Sequence, residues 1–357
     1  MSQEPELDND SFFDDETEVY ECPPENLLSL QLESPAETIR LYKNGQPIWA
    51  VPREEVELMD DELGKGAWGV VRKARFRGEI VAAKRLHDAL CQEGTEFLYK
   101  AIRRELDIAS NVRHPNLVFF LGAVIEGDLT ELIILNELMD CSLRDVLAEG
   151  QLSRSQIKSI SFDVARALNY LHSCKPQPLI HRDVSSANVL LHHLGPDYWK
   201  AKVSDYGSLQ AINLACTIAP GNLVYAAPEA KGIAQQTCKM DTYSFGILLI
   251  EMLTRQLPVV QKRVRLLQDI KWREMHLLIE ICIRDNPEER PTMQDIIKSL
   301  EVCVLSDKYI DILLFIGCST CPVESELKHD LLVYVSITAT SHDLLHRNCQ
   351  RNLLFGR

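Results

Sequence analysis

At 357 residues with 46% hydrophobic composition, the chain can bury a large core in one large or two medium domains. Its formal charge of −14 speaks against a nucleic-acid surface, which needs clustered Lys and Arg, and its eleven scattered cysteines lack the regular spacing of a disulfide scaffold. They read as reduced thiols, so a cytoplasmic location is expected; no leader peptide or membrane span is expected either, since the tail's longest apolar run, Ile310 to Ile316, is broken by Asp311 and falls well short of ~20 residues.

Residues 1–50 read as a disordered acidic arm: no Lys or Arg precedes Arg40, while Asp and Glu crowd Glu4 to Glu18, and Pro23, Pro24 and Pro35 follow. From Val56 the pattern turns to strand-like alternation, with Gly78 marking a turn between the second and third strands. Within it, Leu63 to Val71 carries Gly64, Gly66 and Gly69; without Cβ atoms there, backbone amides can approach phosphate oxygens closely. Val81, Ala82, Ala83 and Lys84 put a lysine on the next strand. A helix is expected from Glu96 to about Val112, bearing Glu105. HPNLVFFLGAV then reads as a loop and strand, and ELIILNEL as a buried strand. Ser142 is placed to cap a short helix, and Gln156 to Ser173 forms a longer amphipathic one with Ile157, Ile160, Ala165, Leu168 and Leu171 inward.

The next stretch, His181 to Leu191, is HRDVSSANVLL. It supplies a carboxylate, Asp183, suited to orienting an incoming hydroxyl, and five positions on an amide oxygen, Asn188, suited to a divalent metal. Asp205-Tyr206-Gly207 follows, then Ala227-Pro228-Glu229, an apolar helix in KMDTYSFGILLIEML, and Arg290. In this order the motifs resemble those of eukaryotic protein kinases, over about residues 57–303. HRDVSSAN is most similar to the tyrosine-kinase-like group, whose members mostly act on Ser and Thr.

The resemblance implies an α+β, bilobal fold, with a small β-rich lobe over about 57–138, a larger helical lobe over about 139–303, and a C-terminal extension of unassigned role over 304–357. It implies ATP and Mg2+ as cofactors and protein substrates as partners. ATP would be held by Leu63, Gly64, Gly66, Gly69, Val71, Ala82, Lys84, Glu137, Met139 and Leu190, with Asn136 behind the adenine. Lys84 would pair with Glu105, Asn188 and Asp205 would ligate metal, and Asp183 would serve as base. Glu229 would pair with Arg290, and Asp241 would accept amides from the catalytic loop. The implied activity is phosphorylation of Ser and Thr in intracellular signalling, the alternatives being a tyrosine or dual-specificity enzyme and a pseudokinase-like ATP-binding scaffold. Arg182 suggests control by phosphate on the activation segment, at Thr217 before Ser208 or Tyr225, placed by an upstream kinase or by autophosphorylation.

Several positions depart from the family pattern. Ser185 stands where Ser/Thr kinases have Lys, and Asn222 where they have Thr. Ala109 is small for its place on the regulatory helix and is expected to leave a void. Leu253 to Trp272 is short, so a truncated docking helix is expected. Beyond Val304 the resemblance stops; Cys318, Cys321, His342, His346 and Cys349 have the residue types of a zinc site but too long a separation, and the apolar stretches DILLFIG and DLLVYVS are expected instead to pack on the helical lobe or to stay poorly ordered.

Overall fold

A computed structural model of the chain describes residues 19–20, 40–43, 46–65, 69–86, 96–125, 132–195, 198–205, 223–231 and 237–301. Two short strands, β1 (Val19–Tyr20) and β2 (Arg40–Lys43), pair with each other, and β2 continues into β3 (Gln46–Pro47). Five longer ones then form an antiparallel sheet: β4 (Val56–Lys65), β5 (Gly69–Phe76), β6 (Glu79–Leu86), β7 (Phe120–Val124) and β8 (Ile133–Glu137), in the order β4-β5-β6-β8-β7. Arg77 and Gly78, at φ 49° and 90°, make the tight connection that the Gly78 signal predicts. Alternating residues turn one face inward, burying Val56, Ala74, Val81, Ala83, Val124 and Leu135 together.

Helix α1 (Glu96–Asn111) lies as predicted and contributes Ile102, Leu106 and Ala109 to a second core with Phe120, Ala123, Leu132 and Ile134. Trp49 joins that core, only 5% exposed, and its Nε1 donates to Asp107 Oδ1 on α1 at 2.7 Å. The backbone around it is tied to β7, with Ala123 N donating to Trp49 O and Val51 N to Ala123 O. Gly122 permits the approach, since a Cβ there would stand 2.6 Å from Val51 Cγ2 and 2.8 Å from Trp49 O. Trp49 to Val51, at the end of the expected arm, thus packs on the small lobe, because the Trp49 indole has an apolar slot to enter. Ala109, the small residue on α1, is buried in the same cluster as the Trp49 ring.

Ser142 caps α2 (Leu143–Glu149) through a reciprocal box with Asp145. Helix α3 (Arg154–His172) starts two residues earlier than its apolar pattern, because Ser153 and Gln156 form another such box. A hairpin, β10 (Val189–Gly195) and β11 (Tyr198–Val203), packs on α3, and β10 also pairs with β9 (Cys141–Ser142). Helix α4 (Lys239–Thr254) is buried nearly all round, as its unbroken apolar run requires. The short α5 (Arg263–Asp269), then α6 (Arg273–Cys282), and a last described helix over 293–301 complete the helical lobe. Helix α5, the docking-helix position in this segment, is seven residues long. Glu229 and Arg290 form the expected pair, two parallel bonds of 2.6 and 2.9 Å between groups almost wholly shielded from water. A small β-rich lobe and a larger helical one give the α+β arrangement that the motifs imply. The extension over 304–357 lies outside the described residues.

Candidate active site

The site is built upward from the first turn of α4. Asp241, fully buried there, accepts the backbone amides of His181 and Arg182 at 2.8 Å, and His172 Nε2 stands 2.8 Å from its Oδ2. Burial alone would push this carboxyl up; the His172 side chain and the His181 amide reverse that and hold it below the usual carboxylate range. The anchorage fixes Arg182 at φ 68°, a left-handed conformation that costs an L residue about 1–2 kcal/mol.

His181 carries the constraint onward. Its Nδ1 accepts from the Asp183 amide at 3.2 Å, so Nε2 bears the proton donated to the Ser204 carbonyl at 2.8 Å. Asn188 Nδ2 donates both to the Asp183 carbonyl, at 2.7 Å, and to Asp183 Oδ2, at 2.8 Å. With its nitrogen engaged, Asn188 keeps its amide oxygen for a ligand. The Asn188 carbonyl accepts from Ser204 N at 2.8 Å, and Ser204 delivers the chain to Asp205, itself left-handed at φ 59°. Asp205 Oδ1 meets Lys84 Nζ at 2.7 Å.

Lys84 is reached from the glycine-rich strands by register alone. Gly64 on β4 stands opposite Val71 on β5, and Val71 opposite Lys84 on β6. Ala82 pairs with Asn136 in the same ladder, while Leu63 and Gly69 lie at the facing ends of β4 and β5. Met139 and Leu190 follow on the helical side, the latter in register with Ser142. Gly66 lies outside the described residues. An unbroken chain of contacts thus runs from the glycine strands through Lys84, Asp205, Ser204 and Asn188 to Asp183.

The partner of Lys84 that the structure describes is Asp205, whereas Glu105 is placed only as a position on α1, its side chain lying outside the described residues. Glu137 was expected to bind ATP, yet its carboxylate accepts from Lys202 Nζ at 2.6 and 2.7 Å and from the Phe119 amide at 2.7 Å, leaving only its backbone carbonyl to offer a nucleotide. Lys202 escapes a sequence reading because a lysine on a strand otherwise reads as a solvated residue. Tyr225 is ruled out as an accessible phosphate acceptor: it is 2% exposed, its hydroxyl donates to buried Glu251 and pairs with Ser186, and burial pushes the phenol up to about 12. Thr217, Ser208, Tyr206 and Asn222 lie outside the described residues, as do the cysteines and histidines beyond Val304. Arg182 is placed beside the base, between His181 and Asp183.

Chemically, the arrangement offers a carboxylate for a hydroxyl, a cation for phosphate, and two hard oxygen donors, Asn188 Oδ1 and Asp205, of the kind that Mg2+ takes. Among the described residues no three His, Cys, Asp or Glu side chains are grouped to hold a metal by themselves. Two protein donors suit an ion that completes its shell with phosphate oxygens and water.

Among known proteins, the chain is 32% identical to "Seven transmembrane domain-containing tyrosine-protein kinase 1" of Dictyostelium discoideum over 70% of its own length. It is 38% identical to "Calmodulin-binding receptor-like cytoplasmic kinase 3" of Arabidopsis thaliana over 57% of its length, and 33% identical to "Probable serine/threonine-protein kinase drkA" of Dictyostelium discoideum over 67%. The chain spans only 38%, 40% and 38% of these relatives' own lengths. Among the described residues no helix is long and apolar enough to cross a membrane. A family model described as "Protein kinase domain" matches residues 58–309, which takes in every catalytic position above, and the chain belongs to the protein kinase family.

Proposed function

We propose that this chain is an ATP-dependent protein kinase that transfers the γ-phosphate of Mg-ATP to Ser and Thr hydroxyls of proteins. The observation that carries the reading is the linked set Lys84, Asp205, Asn188 and Asp183, drawn from both lobes and joined by bonds of 2.7 to 2.8 Å. Lys84 would hold the nucleotide's phosphates once its ammonium is shared between them and Asp205. Asn188 and Asp205 would hold Mg2+, which when bound neutralises charge on the β- and γ-phosphates. Asp183, kept in place by Asn188 and His181, orients the acceptor hydroxyl and takes its proton as the new O–P bond forms and the bond to the departing ADP breaks. Ser/Thr as acceptor is supported by HRDVSSAN and by the serine/threonine kinase among the relatives; the tyrosine-named relative favours the second reading, a tyrosine or dual-specificity enzyme. Reduced thiols and an acidic surface support a cytoplasmic place in signalling, with Thr217 as a phosphate-accepting switch.

Wild type, Lys84→Met and Asp183→Asn, each incubated with labelled ATP and a generic protein substrate, test it. Transfer in wild type alone, recovered as phosphoserine and phosphothreonine, is expected. Phosphotyrosine alone would move the assignment to the second reading. Equal background in all three would sink the enzyme and leave an ATP-binding scaffold. A peptide map of active protein should show phosphate on Thr217; an unmodified Thr217 with Thr217→Ala unimpaired removes that switch.

A further inference from the structure

Between Thr254 and Trp272 the chain carries Arg255, Lys262, Arg263, Arg265 and Lys271 against a single acid, Asp269, although the molecule's net charge is −14. Among the described residues none of these five cations meets a carboxylate. Arg255 donates to the carbonyls of Leu147 and Ala148, and Arg263 to those of Pro258 and Val224 and to the Tyr243 hydroxyl. Lys262 and Arg265 stand exposed at the start of α5. Apolar side chains are exposed between them: Leu257 at 46%, Val260 at 62% and Val264 at 71%. Leu223, 61% exposed, precedes the Val224 carbonyl that Arg263 holds at 2.6 Å. The result is a basic surface with apolar knobs, directly beside the turn at Leu223 to Tyr225.

The first 39 residues have the opposite character. They hold no Lys or Arg, and Phe12 and Phe13 sit between Asp10 and the run Asp14, Asp15, Glu16. We propose that the face formed by Leu257, Val260, Val264, Lys262 and Arg265 is a docking surface for the chain's own acidic segment, Glu4 to Glu18. The phenyl rings cover the exposed valines and leucine while the flanking carboxylates meet Lys262 and Arg265. Tethering makes the contact feasible although each exposed ion pair is weak, because a segment carried on the same chain meets the face at a higher effective concentration than a free peptide would.

The test is zero-length carbodiimide cross-linking of the full chain, read by mass spectrometry and independent of catalysis. Amide links from the carboxylates of Glu4 to Glu18 to Lys262 and Lys271 are expected in preference to exposed Lys65 and Lys298. Their yield should be unchanged on dilution and fall severalfold in about 1 M salt, where the Debye length shrinks to ~3 Å. Phe12→Ser with Phe13→Ser should lower the yield severalfold, and Lys262→Glu with Arg265→Glu should abolish the links to that turn. Adding Asp14→Lys and Asp15→Lys to the latter pair should restore links of reversed polarity. Links spread evenly over all exposed lysines, or insensitive to both salt and the phenylalanine changes, overturn the proposal. Links lost on dilution assign the face to a second copy and overturn the intramolecular contact.

Discussion

Asp241 shows how much one buried acid can organise. It touches no substrate, yet its two oxygens fix consecutive amides of the catalytic loop and a histidine of α3, so the position of Asp183 depends on it. Asp241→Asn keeps the shape but exchanges one acceptor for a donor facing a backbone N–H. A loss of about 2–4 kcal/mol in urea denaturation is expected, with a fall in turnover from the displaced loop. The pH dependence follows from the direction of the shift. Because the folded protein holds this carboxyl below its ordinary value, the charged form is favoured, and its contribution is present above roughly pH 4 and disappears as pH falls through the lower folded value. In the asparagine variant that portion of the acid limb should flatten. An acid limb identical to wild type in equilibrium unfolding would show that the charge does no such work.

At the level of elements, helix α1 is held from outside the region that the family motifs mark. Trp49 packs among Ile102, Leu106 and Ala109 and is hydrogen-bonded to Asp107, two residues along α1 from Glu105. Trp49→Ala should cost about 3–5 kcal/mol, the range for emptying a buried aromatic site. Trp49→Phe should cost less, keeping apolar filling while losing the bond to Asp107. If thermal unfolding shows the alanine variant as stable as wild type, the packing is not a support. The motifs made the catalytic elements legible: HRD with its distant Asn, the DYG aspartate and the Glu229–Arg290 pair each need particular residue types at particular separations. Ser142 was legible as a cap for the same reason. Trp49 was not, since its slot is built by α1 and β7, more than fifty residues away, and the acidic composition before it argues for a solvated arm. The earlier start of α3 was missed because a polar capping box, Ser153 with Gln156, leaves no trace in an apolar period.

Across the whole molecule, β11 is where the lobes are joined. Val118 N donates to Val203 O at 3.0 Å and Val203 N to Asn116 O at 2.8 Å, so the loop after α1 is stitched to a strand of the helical lobe. Two ion pairs flank that stitch, and they differ in what a nucleotide would ask of them. Lys84–Asp205 lies in the reacting centre and must rearrange as phosphate and metal arrive. Lys202–Glu137 has no such duty; it clamps the end of β8 to β11, with the Phe119 amide on the same carboxylate. Lys202→Met leaves Glu137 mostly shielded with one neutral donor, which should cost about 1–2 kcal/mol in urea denaturation, since both groups retain some water. Local opening should rise with it, so hydrogen exchange at Val118 and Val203 should quicken more than at the buried residues of α4. Nucleotide affinity should hold in Lys202→Met and collapse in Lys84→Met, because only the latter removes a cation from the phosphate site. Unchanged exchange at Val118 and Val203 in the methionine variant would mean that the backbone bonds alone hold the lobes at this point and the ion pair is incidental.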